Sequence, residues 1–364
     1  MPSLLSHLAC GRCGTERSSD LAVGLCARCG GPLLARYSMP EVGQLPGRAV
    51  APRPATLHRL RELSPIQRET VPSLGEGGAR LIRAEGLGVE LDLPNLILAD
   101  EARQPTGSLY SRSAAVALAR ARELGIGRVG AAGPAALARA VAGYASLHGL
   151  DSDLVVTGER TSLRDFRTRV GDSLPEGAYN VSPFAEPYGL EGLKTLGYEI
   201  FYNLRRLPEI VVTPVDGSGL TVALWKAWNE LEDLGWIGSA RPRMFLVEHG
   251  KNAPIHKAWK KNRDEPEAPH RISSDVPASL AVPKHPGGGL MLKILRVSDG
   301  VVEKVSTSAI ADADTRVKQH LGLAFGAAGN AVIAATRQLR LEGAIDRNAV
   351  VLAINPASAE LDVA

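Results

Sequence analysis

Gln104-Pro105-Thr106-Gly107-Ser108-Leu109-Tyr110-Ser111-Arg112 lies between a short apolar run at 95–99 and a strong helix former at 113–124 that stops at Gly125. The run has the length of a buried strand, and Pro-Thr-Gly-Ser is turn chemistry. The stretch therefore reads as a strand-to-helix junction, where backbone N–H groups can meet an anion. The same alternation recurs downstream. Residues 128–132, 153–157, 210–215, 244–248 and 349–354 are further short apolar runs suited to buried strands. Helices are expected between them at 134–148, 220–234 and 327–341. Pro134 opens the first, and Gly149 closes it. Leu220, Leu224, Ala227, Trp228 and Leu231 share one face of the second. Such alternation predicts an α/β body with mostly parallel sheets covered by helices on both faces.

The bulk properties narrow the class. With 364 residues the chain is long enough for two or three domains. A net charge of +3 is too small to argue for nucleic acid, an acidic partner or a membrane surface. No apolar run approaches the length of a membrane span. Met1 to Leu8 lack the charged and apolar regions of a signal peptide, so a cytoplasmic location is expected. The most charged stretch, 251–271, reads as a solvated surface helix followed by a Pro-rich loop.

All four cysteines lie in the first 30 residues. Cys10-Gly-Arg-Cys13 and Cys26-Ala-Arg-Cys29 are two C-x-x-C pairs separated by 12 residues, each followed by glycine. Two residues between thiols let one tight turn aim both sulfurs at one ion. Two such turns supply a closed, all-thiolate set for structural Zn²⁺. Two disulfides or four free thiols are the competing reading. A redox pair is disfavoured because no βαβ unit surrounds either motif. The expected organisation is a zinc ribbon at 1–40, a Pro/Arg-rich linker wrapping the body at 41–72, and a two-lobed body at 73–364 with its smaller lobe at about 105–200.

Several stretches in collinear order resemble threonine synthase and its relatives, the fold-type-II pyridoxal-phosphate (PLP) enzymes of the tryptophan synthase beta-like superfamily. They are the four-cysteine leader with Gly30-Gly31-Pro32-Leu33, Ser73-Leu74-Gly75-Glu76-Gly77-Gly78, Asp100-Glu101 with Pro105-Thr106-Gly107-Ser108, Ala253-Pro254-Ile255, and Ser298-Asp299-Gly300. The resemblance implies the two-lobed architecture, often as a dimer. It also marks departures. The family's Schiff-base lysine corresponds to Tyr110. The asparagine-bearing loop that faces the PLP ring corresponds to 131–136, with Pro134 and Ala135. The glycine-rich phosphate cup corresponds to Pro214-Val215-Asp216-Gly217-Ser218-Gly219-Leu220. The C-terminal threonine motif corresponds to 354–359, with Asn355.

Each departure has a chemical consequence. Tyrosine forms no imine, so the amine route for an amino-acid substrate is missing. Pro134 removes a backbone donor. A carboxylate at Asp216 would repel a phosphate dianion by roughly 1–4 kcal/mol at short range, although Asp216 could instead cap the helix that follows. The resemblance makes Ser108, Tyr110, Ser111, Arg112, Asp216, Gly217, Ser218, Gly219 and Asn355 the expected cleft residues. Tyr110, Arg112 and Asp216 are the candidates for chemistry. Tyr110 either fills the old cofactor space or donates a hydrogen bond to another ligand. Lys194, Lys226 and Lys293 are the lysines expected nearest the body. The eight histidines form no ligand-like pair and read as surface or loop residues.

The expectation is a catalytically degenerate threonine-synthase-like protein, a pseudoenzyme with structural zinc and without PLP. It would act through a homodimer, a heteromer with a biosynthetic enzyme, or a non-PLP ligand. Two other readings stay open. One is a cleft rebuilt for a non-PLP reaction on an amino-acid-like or phosphorylated small molecule. The other is a PLP lyase with a relocated lysine.

Overall fold

The computed structural model describes residues 2–41, 45, 53, 54, 56–156, 174 and 176–361. Three sheets organise them. The first 40 residues give an antiparallel ribbon, order β2-β1-β3, from β1 (Leu5–Cys10), β2 (Glu16–Arg17) and β3 (Leu33–Tyr37). The largest sheet has six strands in the order β11-β10-β9-β12-β5-β4. These are β4 (Leu81–Arg83), β5 (Leu96–Asp100), β9 (Ile210–Pro214), β10 (Arg243–His249), β11 (Val301–Val305) and β12 (Val351–Asn355). Only β4, at one edge, runs antiparallel to its neighbour. A smaller parallel sheet, order β7-β6-β8, uses β6 (Arg128–Gly133), β7 (Asp151–Val156) and β8 (Tyr179–Asn180).

The strands β5, β9 and β12 are buried along their whole length. That is why they read as continuous apolar runs rather than alternating ones. One core packs α2 (Tyr110–Glu123), α3 (Ala135–His148), α4 (Gly189–Leu204) and α5 (Leu220–Asp233) around residues such as Leu118, Tyr144, Leu196 and Trp228. A second core lies on the opposite face of the large sheet, where α9 (Ala327–Leu341) packs Val332 and Ile333 near Val212 and Phe245. The remaining helices are α1 (Glu85–Glu90), α6 (Pro254–Lys260), α7 (Gly288–Val297) and α8 (Thr307–Leu321).

Several elements differ from the sequence reading. Within the stretch read as a linker, Leu57–Leu63 forms a 3₁₀ segment with a non-helical break at Leu60. Much of the expected linker, 42–44, 46–52 and 55, lies outside the described residues. Helix α2 begins at Tyr110 rather than Ser113. Helix α4 buries Glu191, Lys194 and Glu199 beside its apolar Leu190, Leu193, Leu196 and Ile200. His148, His249 and His285 are buried, contrary to the surface reading.

Helix α4 crosses α2 at Gly192. A Cβ there would lie 1.9 Å from the Arg112 carbonyl oxygen, so only glycine allows the two backbones to meet. This crossing fixes the N-terminal end of α2, and with it Tyr110.

Candidate functional site

The ribbon brings its four cysteines together. Cys10 ends β1, and the turn after it carries Cys13. A second turn carries Cys26 and Cys29. The four sulfurs lie within 4.8 Å of one another. Individual separations are 3.5 Å for Cys10–Cys29, 3.4 Å for Cys13–Cys29 and 3.8 Å for Cys13–Cys26. A tetrahedron with metal–sulfur bonds of about 2.3 Å has edges of about 3.8 Å. The Arg12 and Cys13 N–H groups point at the Cys10 sulfur, at 3.4 and 3.5 Å. The thiols are free rather than disulfide-bonded. The arrangement could hold one metal ion.

The Gln104–Arg112 junction closes against the C-terminal segment. The Leu109 N–H donates to the Pro356 carbonyl at 2.9 Å, and the Ser358 N–H to the Gly107 carbonyl at 2.9 Å. Tyr110 starts α2 with its side chain 4% exposed. It faces a cavity of about 20 Å³ shared with Asp216, Pro134, Ser279, Pro356 and Leu361. That volume holds about one water molecule. Among the described residues no lysine lines this cavity. Burial, with the nearby Asp216 charge, pushes the Tyr110 phenol well above its usual range, so it stays neutral.

The loop from β9 to α5 forms the other wall. Its Asp216 is buried, and burial pushes its carboxyl up to about 6, against the lowering effect of Ser218. Asp216 Oδ1 accepts the Ser218 N–H at 3.0 Å and the Ser218 O–H at 2.6 Å. Ser218 Oγ accepts the Leu220 N–H at 3.3 Å. Two of the loop's N–H groups are thus taken within the loop, and Asp216 bonds Ser218 ahead of α5 rather than capping the helix, as the sequence had allowed. Gly219 has φ 87°. A Cβ there would lie 2.8 Å from the Phe184 ring, and one at Gly287 2.2 Å from it. The Phe184 ring is wedged between two glycines in the space beside the loop.

Other expected cleft residues go elsewhere. Arg112 is fully buried away from the cavity, with Nε 2.5 Å from Glu101 and Nη2 2.9 Å from Glu199. Glu199 in turn accepts the Gly78 and Ala79 N–H groups. Arg112 thus ties α2 to α4 and to the 73–78 loop. Ser111 Oγ accepts the Thr106 N–H at 3.0 Å and shares a 2.7 Å hydrogen bond with the Thr106 hydroxyl, holding the turn. Asn355 donates to Asp100 at 2.9 Å across β12 and β5. Ser108 is fully buried beside Ala357.

Two of the three candidate lysines are committed elsewhere, and Lys293 is exposed. Lys194 reaches Glu191 at 2.5 Å and Glu230 at 3.0 Å. Lys226 reaches Glu191 at 3.2 Å and also pairs with Glu230. Tyr37 of the ribbon donates to Glu191 at 2.7 Å. This neutral quartet sits under the ribbon. Lys226 is outside the apolar set of α5 yet is buried, because two carboxylates receive it. The Glu191/Lys194 and Lys226/Glu230 spacings, three and four apart on helices, were the available signal. Phe184 had none, because its role depends on glycines distant in sequence.

A family model described as pyridoxal-phosphate dependent enzyme matches residues 155–357, more than half of the chain. The chain belongs to that family. Curated relatives of the family include threonine synthase of Methanosarcina acetivorans, 26% identical over 96% of this chain and 90% of that one. Threonine synthase of Methanocaldococcus jannaschii is 27% identical over 95% and 90%. Among solved structures, maize serine racemase superposes with a TM-score of 0.62 at 16% identity, covering 77% of this chain and 89% of that one. A fungal L-serine ammonia-lyase from Rhizomucor miehei gives 0.61 at 18%, covering 78% and 96%. These two likenesses concern the fold.

Proposed function

We propose that this chain is a threonine-synthase-like family member that has lost PLP chemistry, keeps structural zinc in its ribbon, and acts by binding. Its partner is a second copy, a biosynthetic enzyme, or a small ligand other than PLP. The observation that carries the reading is the cavity at Tyr110, which has room for about one water and is lined by a phenol, a carboxyl and the Ser279 hydroxyl, with no lysine among the described residues. An amine is needed to form an imine with the cofactor, and a phenol cannot supply one. The phosphate group needs free N–H donors at a helix start. Here Asp216 takes the Ser218 N–H, Ser218 takes the Leu220 N–H, and the Phe184 ring lies against Gly219. The residues present do not fit the cofactor.

The test is to incubate the purified chain with PLP, follow visible imine absorbance, reduce with borohydride, and map any labelled peptide. No labelled lysine is expected. The Tyr110→Lys variant should also stay unlabelled, because the buried Asp216 carboxyl still holds the loop's Ser218 N–H. A single labelled lysine in the parent chain would overturn the reading. The shared cavity of Tyr110 and Asp216 favours one second reading, a rebuilt site in which these two groups hold a proton between them. Thermal-shift screening of amino acids and phosphorylated metabolites tests it, and it fails if no hit depends on both side chains.

A further inference from the structure

We propose that the ribbon metal latches the Phe184 ring into the β9–α5 glycine loop, so that metal state decides whether that loop is covered. The argument starts from the arc between the two cysteine pairs. Between Arg17 and Leu33 the described chain contains no strand or helix. The arc is tied within itself by bonds such as the Cys26 N–H to the Gly31 carbonyl at 2.9 Å, and to the first turn by the Gly11 N–H to the Pro32 carbonyl at 2.9 Å. An ion held by all four sulfurs would join it directly to the end of β1.

That same arc grips the segment carrying Phe184. The Ser19 carbonyl accepts the Tyr188 hydroxyl at 2.8 Å and the Arg120 guanidinium at 2.8 Å. The Val23 carbonyl accepts the Tyr179 hydroxyl at 2.9 Å. Gly24 approaches the Ala185 carbonyl so closely that a Cβ would lie 3.1 Å from it. Tyr188 is fully buried, and its ring belongs to the ribbon's own core with Leu8, Cys10, Cys26 and Leu33. The segment from 179 to 188 is thus held from one side by the arc.

Phe184 lies at the centre of that segment, at φ 63°, a left-handed conformation uncommon for a bulky residue. A residue in such a conformation persists where its surroundings impose it. On one side the ring is received by Gly219 and Gly287. On the other, the arc lies against the Ala185 carbonyl and bonds Tyr179 and Tyr188 at the two ends of the segment. Losing the metal frees the arc, removes the partners of Tyr188 and Tyr179, and lets the ring leave. The start of α5 would then be open to a ligand.

This inference extends the reading that the loop no longer serves a PLP phosphate, but its test is separate. Backbone hydrogen exchange of the full chain is compared with zinc bound and after chelation. Exchange should speed up in 18–31, and also about fivefold or more in 182–188 and 216–220, as for loss of a buried hydrogen bond. Strands β11 and β12 should be unchanged. Acceleration confined to 2–37 overturns the latch. Where chelation unfolds the whole chain, Tyr188→Phe with zinc retained by elemental analysis decides. It keeps the ring and removes the bond to Ser19. Faster exchange at 182–188 and 216–220 supports the latch, and unchanged exchange there overturns it. PLP uptake by the zinc-loaded chain bears on the earlier reading alone.

Discussion

Replacing Asp216 with asparagine isolates the cost of the buried carboxyl beside Tyr110. Burial raises this group from the ordinary 3.8 to about 6. The folded state therefore holds the proton more tightly than the unfolded state does. Stability from this group is fully present below about pH 4 and is lost as pH rises through about 6. At 1.36 kcal/mol per pH unit, the ionised side chain costs the folded state about 3 kcal/mol above that range. Asparagine is close in shape, and its carbonyl oxygen can still accept the Ser218 N–H and O–H. Asp216→Asn should therefore be more stable than the parent at pH 7 and 8, by up to about 3 kcal/mol. The difference should shrink between pH 6 and 4 and stay constant above pH 6. Urea unfolding of both proteins at four pH values measures it, because subtraction removes the other titrating groups. A difference independent of pH across 4 to 6 would refute the desolvation argument. A variant less stable than the parent at pH 8 would show that the charge itself holds the loop.

Two further substitutions test the frame around Tyr110. Arg112→Met leaves Glu101 and Glu199 buried without their cation and should cost about 3–5 kcal/mol in unfolding experiments. A loss below about 1 kcal/mol would place the pair in a far wetter setting than its complete burial implies. Gly192→Ala forces a methyl group into the α2–α4 crossing and should cost at least about 1–3 kcal/mol. The matched control is Gly238→Ala, where nothing lies within 4 Å of the new carbon. It should stay within about 0.5 kcal/mol of the parent, and equal effects of the two substitutions would contradict the close crossing.

The sequence by itself determined the α/β class, the two cysteine pairs and the strand-to-helix junction at Gln104–Arg112. These are local signals: a tight turn between thiols, a turn before a helix, and short runs buried on both faces of a sheet. Tertiary structure decided what each polar side chain near the junction does. Ser111, Arg112 and Ser108 all fall close to Tyr110 in sequence, yet a helix turns by about 100° per residue and sends neighbours to different faces. Tyr110 therefore meets the cavity, while Arg112 meets carboxylates from Glu101 and from α4. Lys194 and Lys226 could not be placed either, because their counter-charges include groups on another helix. Phe184 was invisible for the same reason. Its seat is made by Gly219 and Gly287, and its neighbour Ala185 lies against Gly24 of a ribbon more than 150 residues upstream. Periodicity reports which residues are buried along one element, and only packing between elements determines what they are buried against.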